Sequence, residues 1–363
     1  MPTFFIVLIS IYLAGNIYIF RKGAQALIAQ PFGVKVLLTI LFWSGTLSFI
    51  GSFLVRNTKL PVVLAHTAHE IGTGWLVFTL YMVLCLLFFD LIRLFNWGFK
   101  FSFYASLFLT LSTLSYGYYN YQHPKTNVIN IVINSQAVHY KQPLKIVSIS
   151  DIHLGYGTDK EKLKQYIKMI NSQKPDLILI AGDLIDNSVV PLYEERMAEV
   201  LHTLKAPLGI YMVPGNHEYI SGIRKSMQFT NETPIRLLRD EVVTLPGGLQ
   251  IIGRDDRINR SRASLQELAK ETDPTRPVIL LDHQPYNLSD TEKANIDLQF
   301  SGHTHRGQVW PISLITDYMF DQSYGYRKWG NSHIYVSSGL SLWGPPFRIG
   351  TDSEIVVFNI TWK

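Results

Sequence analysis

The segment FSGHTHRG, Phe300 to Gly307, sets two imidazoles two residues apart between glycines, and four further segments supply the donors that such a pair would need. SISDIHLG brings Asp151 and His153, LIAGDLID brings Asp183 and Asp186, MVPGNHEY brings Asn216 and His217, and ILLDHQP brings His283; His303 and His305 complete the set. Each segment follows a short run of branched apolar residues, the pattern of a buried strand, so each donor falls at a strand end. In an α/β sheet the carboxyl ends of the strands open on one crevice, where separate stretches of chain converge. The mixture of donors suits one chemistry. Two divalent ions about 3.5 to 4 Å apart clamp the attacking and leaving oxygens of a phosphoryl displacement and lower the pKa of a bridging water. Such a pair needs a carboxylate between the ions, and neutral imidazole and amide groups around them to keep the site cationic. Asp151 and Asp183 set two negative charges against four positive ones, which leaves a centre that attracts phosphate.

In order, the segments read D-x-H, G-D-x-x-D, G-N-H-E, H and G-H-x-H, with 30 residues from His153 to Asp183, 33 on to Asn216, 67 to His283 and 20 to His303. This ordered set resembles the calcineurin-like metallophosphoesterase family. The resemblance covers roughly Leu144 to the C-terminus, and the tail SSGLSLWGPPFRIGTDSEIVVF is similar to the end of the membrane-associated branch of that family. It implies an α/β (α+β) fold, a four-layer α/β/β/α sandwich, with two divalent metal ions and hydrolysis of a phosphate ester by a metal-bridging hydroxide. Carried over position by position, it implies Asp151, His153 and His305 on the first metal, Asn216, His283 and His303 on the second, and Asp183 between them. His217 would stabilise the transition state or protonate the leaving alkoxide, and Asp186 would orient its neighbours without touching metal. Imidazole donors suit Mn²⁺, Fe or Zn²⁺ better than Mg²⁺ or Ca²⁺ alone. Where many relatives of the membrane branch have glycine after G-H-T-H, this chain has Arg306, a side chain suited to bidentate phosphate contact. Arg254 in GRDDR is a further candidate for touching substrate, with a turn as the alternative. Thr304, between the two histidines, is expected to turn away by strand-like alternation. Glu218 and Tyr219 carry no assignment.

Positioning these donors takes an alternation of strands and amphipathic helices, which begins at Asn127. Strands are expected at Val128–Ile133, Lys145–Ser150, Leu177–Ala181, Gly209–Val213, Leu249–Gly253, Val278–Asp282, Asp297–Ser301, His333–Ser337 and Ile355–Ile360. Helices are expected at Lys160–Ser172, Tyr193–Leu204, Gly222–Phe229 and Ser261–Lys270. The aromatic stretch Val309 to Gly330 reads as a packed β-hairpin, with a lipid-facing wall as the rival reading. The catalytic domain is placed at residues 144–363, after a linker and edge strand at 121–143.

The first 120 residues have a different texture. Four apolar runs, Phe4–Phe20, Val34–Val55, Thr73–Phe89 and Phe101–Tyr118, predict a four-helix transmembrane region. This third of the chain carries seven basic residues against Glu70 and Asp90, a net +5, whereas the remainder holds 26 basic and 26 acidic residues. The pI near 9.0 therefore belongs to the membrane region, and the neutral domain lacks the basic face that nucleic acid requires. The single cysteine, Cys85, excludes a disulfide framework and a thiolate metal cluster. With four spans, the loops holding Arg21, Lys22, Lys35, Arg93 and Lys100 outweigh the side holding Arg56, Lys59 and Lys125. By the positive-inside rule, the catalytic domain is then extracytoplasmic, on an integral protein of the cell membrane. Asp90 and Arg93 have a spacing that allows a pair at the membrane edge, with an interfacial anchor as the preferred reading, and AHTAHE, Ala65 to Glu70, reads as a solvated loop. The chain is thus expected to be a membrane-anchored phosphoesterase whose substrate is a phosphodiester or pyrophosphate, soluble or lipid-linked. The alternative is a catalytically silent membrane sensor or scaffold on the same fold, and the full set of donors argues against it.

Overall fold

The computed structural model describes residues 2–55, 62–135, 137–140 and 143–363. They form two compact units, Met1–Asn120 with Gly344–Ile349, and Tyr121–Trp343 with Gly350–Lys363.

The first unit is built from α1 (Pro2–Ala26), α2 (Phe32–Val55), α3 (Val62–Leu94) and most of α4 (Ser102–Gln122). All four apolar runs are helical, but among the described residues three helices, not four, are long and apolar enough to cross a membrane: Ile6–Ala26, Phe32–Ser52 and His66–Leu94. The expectation of four spans is corrected accordingly. α4 spends its length on Ser106, Thr110, Ser112, Thr113, Ser115, Asn120 and several tyrosines, and these raise its cost of transfer to hydrocarbon. A second correction concerns AHTAHE, which is no loop but the first turns of α3, with His69 buried and His66 Nδ1 3.7 Å from Glu70 Oε2. Gly72 and Gly74 do not break the helix there, so it extends ahead of the apolar run. Asp90 is met across the bundle by Lys22 Nζ at 2.5 Å and the Tyr18 hydroxyl at 2.6 Å, both on α1. Inside the bundle, Asn16 Oδ1 accepts hydrogen bonds from Thr46 Oγ1 and Trp75 Nε1, each at 2.9 Å, so one buried amide ties α1 to α2 and α3. A Cβ on Gly72 would lie 2.6 Å from the Ser48 carbonyl oxygen, so α2 and α3 approach backbone to backbone, the small-residue packing typical of membrane helices. Arg56 and Lys59 lie outside the described residues.

The second unit holds two six-stranded sheets. The first has the order β1 (Lys125–Ile133), β12 (Glu354–Trp362), β2 (Leu144–Ile149), β3 (Leu177–Ala181), β4 (Ile210–Val213), β5 (Ile235–Leu237). The second has the order β10 (Gly325–Trp329), β11 (Ser332–Val336), β9 (Leu298–Ser301), β8 (Val278–Leu281), β7 (Gln250–Gly253), β6 (Glu241–Thr244). β2 to β5 run parallel, as do β7, β8, β9 and β11. The sheets meet through one apolar layer that includes Leu179 and Ala181 from the first and Ile279, Leu281 and Phe300 from the second. The other face of the first sheet, Ile178 and Ile180, packs on Leu163, Tyr166 and Ile170 of α5 (Lys160–Ser172). These central strands are apolar on both faces because both faces are covered, which is why they read as continuous runs. Shorter helices complete the unit: α6 (Val190–Glu194), α7 (Met197–Leu201), α8 (Asn216–Ile220), α9 (Ile223–Asn231), α10 (Leu265–Ala269), α11 (Ser289–Lys293) and α12 (Ile312–Met319). On the outer face of the second sheet, Leu265 and Leu268 of α10 cover Ile252 and Leu280, which makes the fourth layer.

Two expected elements differ. The helix read at Tyr193–Leu204 is broken into α6 and α7 by Arg196, whose φ of 55° is left-handed. The stretch 309–330 is not one hairpin: α12 takes its first half, and only β10 pairs with β11. α12 leaves Leu314, Ile315, Tyr318 and Met319 exposed. Its hydrophobicity therefore signalled something other than a packed strand pair.

Candidate metal centre

The donors gather at the carboxyl ends of β2, β3, β4, β8 and β9, one loop from each. Asp151 and His153 follow β2, Asp183 follows β3, Asn216 opens α8 after β4, His283 follows β8, and His303 and His305 follow β9. Five of these seven residues have left-handed backbone: Asp151 (φ 54°), His153 (49°), Asp183 (52°), His303 (74°) and His305 (47°). Asp and His tolerate that region better than most residues, yet each instance still costs about 1–3 kcal/mol. Strain of that kind persists where the surroundings over-determine it, and here it is concentrated on the candidate ligands.

Two clusters result. In one, His153 Nε2 lies 3.1 Å from His305 Nε2, 3.9 Å from Asp151 Oδ1 and 3.8 Å from Asp183 Oδ2. In the other, His283 Nε2 lies 3.2 Å from Asp183 Oδ2 and 3.1 Å from Asn216 Oδ1, and Asn216 Oδ1 lies 2.8 Å from His303 Nδ1. Asp183 belongs to both. Groups drawn from these clusters, Asp151–His153–His305 and Asp183–His283–His303, have ligand atoms close enough to hold a metal ion. The donors are those of a borderline divalent cation: imidazole nitrogens, carboxylate oxygens and one amide oxygen turned toward a common point. The residues therefore fit the ions that the sequence implied.

The electrostatics are those of a site built for positive charge. Burial opposes ionisation of Asp183, but the imidazoles of His283, His217 and His153 outweigh it and hold its carboxyl well below the usual carboxylate range. Burial and the charge on Asp183 push the Asp151 carboxyl up, against the pull of His283 and His153. Burial, together with the charge on His283, depresses His303 to about 3, which favours the neutral ring that a cation needs.

His217 stands beside both clusters. Its backbone N–H donates to Asp183 Oδ1 at 2.8 Å, and its Nδ1 lies 2.9 Å from the Asp186 carbonyl oxygen and 3.3 Å from Asp186 Oδ1. That contact keeps a proton on Nδ1. Burial disfavours the imidazolium, but the bond to Asp186 and the charges of Asp183 and Asp186 prevail and raise His217 to about 9. Asp186 also lies 3.6 Å from His153 Nδ1, so one carboxylate braces two histidines. Trp343 is half exposed, with its ring 6.4 Å from that of His217.

The two candidate substrate arginines are each held by a neighbour. Arg306 lays its guanidinium over the Tyr324 ring at 4.6 Å, and Arg254 binds Asp282 Oδ2 at 2.7 Å and the Ala263 carbonyl at 3.1 Å. Thr304 does not follow strand alternation. It sits in a tight turn, with its hydroxyl donating to the Ser323 carbonyl at 2.6 Å.

Glu218 escaped the sequence reading. Fully buried, it accepts hydrogen bonds from the backbone N–H groups of Asp183 (3.0 Å), Ile185 (3.0 Å) and Gly215 (2.7 Å). One carboxylate thus clamps the β3 loop to the β4 loop. Its signal was present in G-N-H-E: an acid three residues after the glycine that caps α8, the reciprocal position of a capping box. Glycine at 215 is set by a different neighbour, since a Cβ there would lie 2.1 Å from Asp183 Oδ1.

A family model described as calcineurin-like phosphoesterase matches residues 144–307. An uncharacterized metallophosphoesterase of Aquifex aeolicus is 30% identical over 253 residues, 67% of this chain and 96% of that protein. The chain belongs to the calcineurin-like phosphoesterase family. An uncharacterized metallophosphoesterase of Helicobacter pylori strain J99 is 36% identical over 226 residues, and the match spans 61% of this chain and 60% of that relative. A Danio rerio protein described as a transmembrane protein with metallophosphoesterase domain is 29% identical over 275 residues, 71% of this chain and 62% of that one. The family match begins at the start of β2 and ends just past His305, so all seven candidate ligands, His217 and Asp186 fall within it.

Proposed function

We propose that this chain is a membrane-anchored phosphoesterase that cleaves a phosphodiester or pyrophosphate with two divalent ions, Mn²⁺, Fe or Zn²⁺. The observation that carries the reading is the pair of donor clusters sharing Asp183, with His217 hydrogen-bonded to that same carboxylate. Asp151, His153 and His305 would hold one ion, Asn216, His283 and His303 the other, and Asp183 both. When bound, the ions supply Lewis acidity toward the phosphoryl oxygens and lower the pKa of water to give the nucleophile. His217, oriented by Asp186, presents Nε2 to the substrate and gives its proton to the departing alkoxide. Replacing His217 with alanine is expected to lower kcat by about 10²- to 10⁴-fold, the usual worth of a positioned general acid. Metal content should stay at the wild-type level. Turnover of bis-p-nitrophenyl phosphate by the detergent-purified full chain with Mn²⁺, alongside elemental analysis, checks both. A variant that keeps full turnover removes His217 from the mechanism.

A lipid-linked ester is the substrate class favoured by α12. This helix begins seven residues after His305 and leaves Leu314, Ile315, Tyr318 and Met319 exposed, with Trp310 half exposed just before it. An apolar helix face beside a catalytic crevice suits contact with acyl chains at a bilayer surface. Three spans also reverse the charge argument. The loop with Arg21, Lys22 and Lys35 then shares a side with Arg93, Lys100 and the catalytic unit, opposite Arg56 and Lys59. The positive-inside rule accordingly places the catalytic unit in the cytoplasm. A fluorescent protein fused after Lys363 is expected to light up, and an export-dependent reporter at the same point to stay dark; the opposite pattern restores the extracytoplasmic placement.

A further inference from the structure

Beside the metal centre the second sheet carries a pocket of a different character. After β7 the chain runs GRDDRINRSR, and Arg254, Arg257, Arg260 and Arg262 from that loop, with Asn287 from the loop after β8 and Asp290 from α11, line a cavity of about 320 Å³. These are four arginines within nine residues, in a domain that is formally neutral. Two of them are fixed. Asp282 Oδ2 holds Arg254 at 2.7 Å, Asp282 Oδ1 holds Arg262 at 3.2 Å, and Arg262 donates a further bond to the Asp255 carbonyl at 2.8 Å. A third, Arg257, lies over the Tyr286 ring at 4.2 Å. Arg257 and Arg260 are exposed, and among the described residues neither is in an ion pair. With Asp282 and Asp290 as the carboxylates, the pocket keeps an excess of positive charge on pre-oriented guanidinium groups, the arrangement that binds phosphate bidentately.

Its place in the fold gives it a role. β7, β8 and β9 are parallel, so the arginine loop, the His283 loop and the His303–His305 loop leave the sheet at one end. Asp282, the anchor of two arginines, immediately precedes His283. Side chains alternate along the strand end, so the pocket opens on the α10 side while His283 turns inward to the Ala181 carbonyl at 2.7 Å. The pocket is therefore separate from the metal centre and next to it along the same rim.

We infer that this pocket is an anion subsite that takes a second phosphate group of the substrate, away from the phosphorus under attack. The inference rests on the phosphoesterase reading above and narrows it: the substrate is an ester carrying at least one further phosphate, as a nucleotide-linked or multiply phosphorylated headgroup does. Arg257 and Arg260 supply the free guanidinium groups, and Arg254 and Arg262 the fixed wall.

The test compares two chromogenic esters on the full chain in detergent with Mn²⁺: a nucleoside p-nitrophenyl phosphodiester with a second phosphate on its ribose, and the same ester without it. The wild type is expected to show a KM about tenfold lower for the phosphorylated ester, the gain from one to two charge-assisted hydrogen bonds. In Arg257→Ala/Arg260→Ala that preference should collapse toward unity. Both arginines are exposed, so the double variant should fold. Equal KM values for the two esters in the wild type, or a preference that survives in the variant, overturns the subsite. A second arm needs no turnover. Calorimetric binding of inorganic phosphate to EDTA-treated full chain should be detectable and weakened about tenfold in the double variant; phosphate binding that the variant leaves intact overturns the proposal. Arginine-dependent phosphate binding in a chain that hydrolyses neither ester supports the pocket and refutes the phosphoesterase reading instead. Arginine-dependent binding to anionic vesicles, with no binding of free phosphate, would make these side chains a bilayer contact and overturn the substrate subsite.

Discussion

Replacing Asp183 with asparagine is expected to lower metal-dependent turnover by about 10³-fold or more, since losing several kcal/mol of Lewis-acid stabilisation converts to that factor. Asp183 is the one carboxylate common to both clusters, with Oδ2 3.8 Å from His153 Nε2 and 3.2 Å from His283 Nε2. An amide of the same size can still accept the His217 N–H that Asp183 Oδ1 now receives at 2.8 Å, so the loop should keep its shape. What it lacks is the negative charge that balances two cations at once. Metal content should fall together with activity, from two ions per chain toward one or none, measured by elemental analysis after gel filtration in detergent. Thermal stability without added metal should also fall, because the imidazoles of His283, His217 and His153 that hold Asp183 ionised lose their counter-charge. Full activity and two bound ions in Asp183→Asn would refute the shared-ligand assignment. Loss of activity with both ions retained would confine Asp183 to charge balance.

How much of this site was legible in the sequence depends on what each residue does. The candidate ligands could be proposed from sequence because a cation restricts side-chain chemistry: few residue types suit it, and 151, 153, 183, 216, 283, 303 and 305 carry such types after apolar strands. The central strands were legible for the same reason, since strands covered on both faces must be apolar throughout. Elements decided by context were not. α4 has the length of a span but too many hydroxyls and tyrosines to equal the other three helices. α12 looked like a strand pair because aromatic and branched residues favour strands, although here they sit exposed on a helix. Arg306 and Arg254 looked equally free on paper. The Tyr324 ring and a carboxylate twenty-eight residues on decide where they point, and neither neighbour lies within a sequence window. Asp90 shows the same limit, since its partners Lys22 and Tyr18 lie on another helix while Arg93 waits three residues along.

Glu218 is the sharpest instance, and its substitution is expected to have the largest effect on stability. Glu218→Ala removes the acceptor from three buried backbone N–H groups, those of Asp183, Ile185 and Gly215. Each unsatisfied donor costs about 1–3 kcal/mol, and allowing for relaxation the total should be about 3–5 kcal/mol. For a unit of this size that corresponds to a fall in Tm of roughly 6–15 °C, readable by intrinsic fluorescence of the full chain in detergent. Activity should fall as well, without loss of any ligand. Gly215 and Asp183 start the two loops that carry Asn216 and the shared carboxylate, and a displacement of about 1 Å at such groups can cost on the order of 10² in rate. Glu218→Gln separates the two roles. Its amide oxygen can still accept from the loops while its NH₂ faces donors, so it should recover part of the Tm but less of kcat. A Tm within about 2 °C of wild type in Glu218→Ala, less than the shift from a single lost hydrogen bond, would show that the clamp between β3 and β4 is made elsewhere. The expected loss would instead mean that the metal centre depends on a residue that touches neither metal nor substrate.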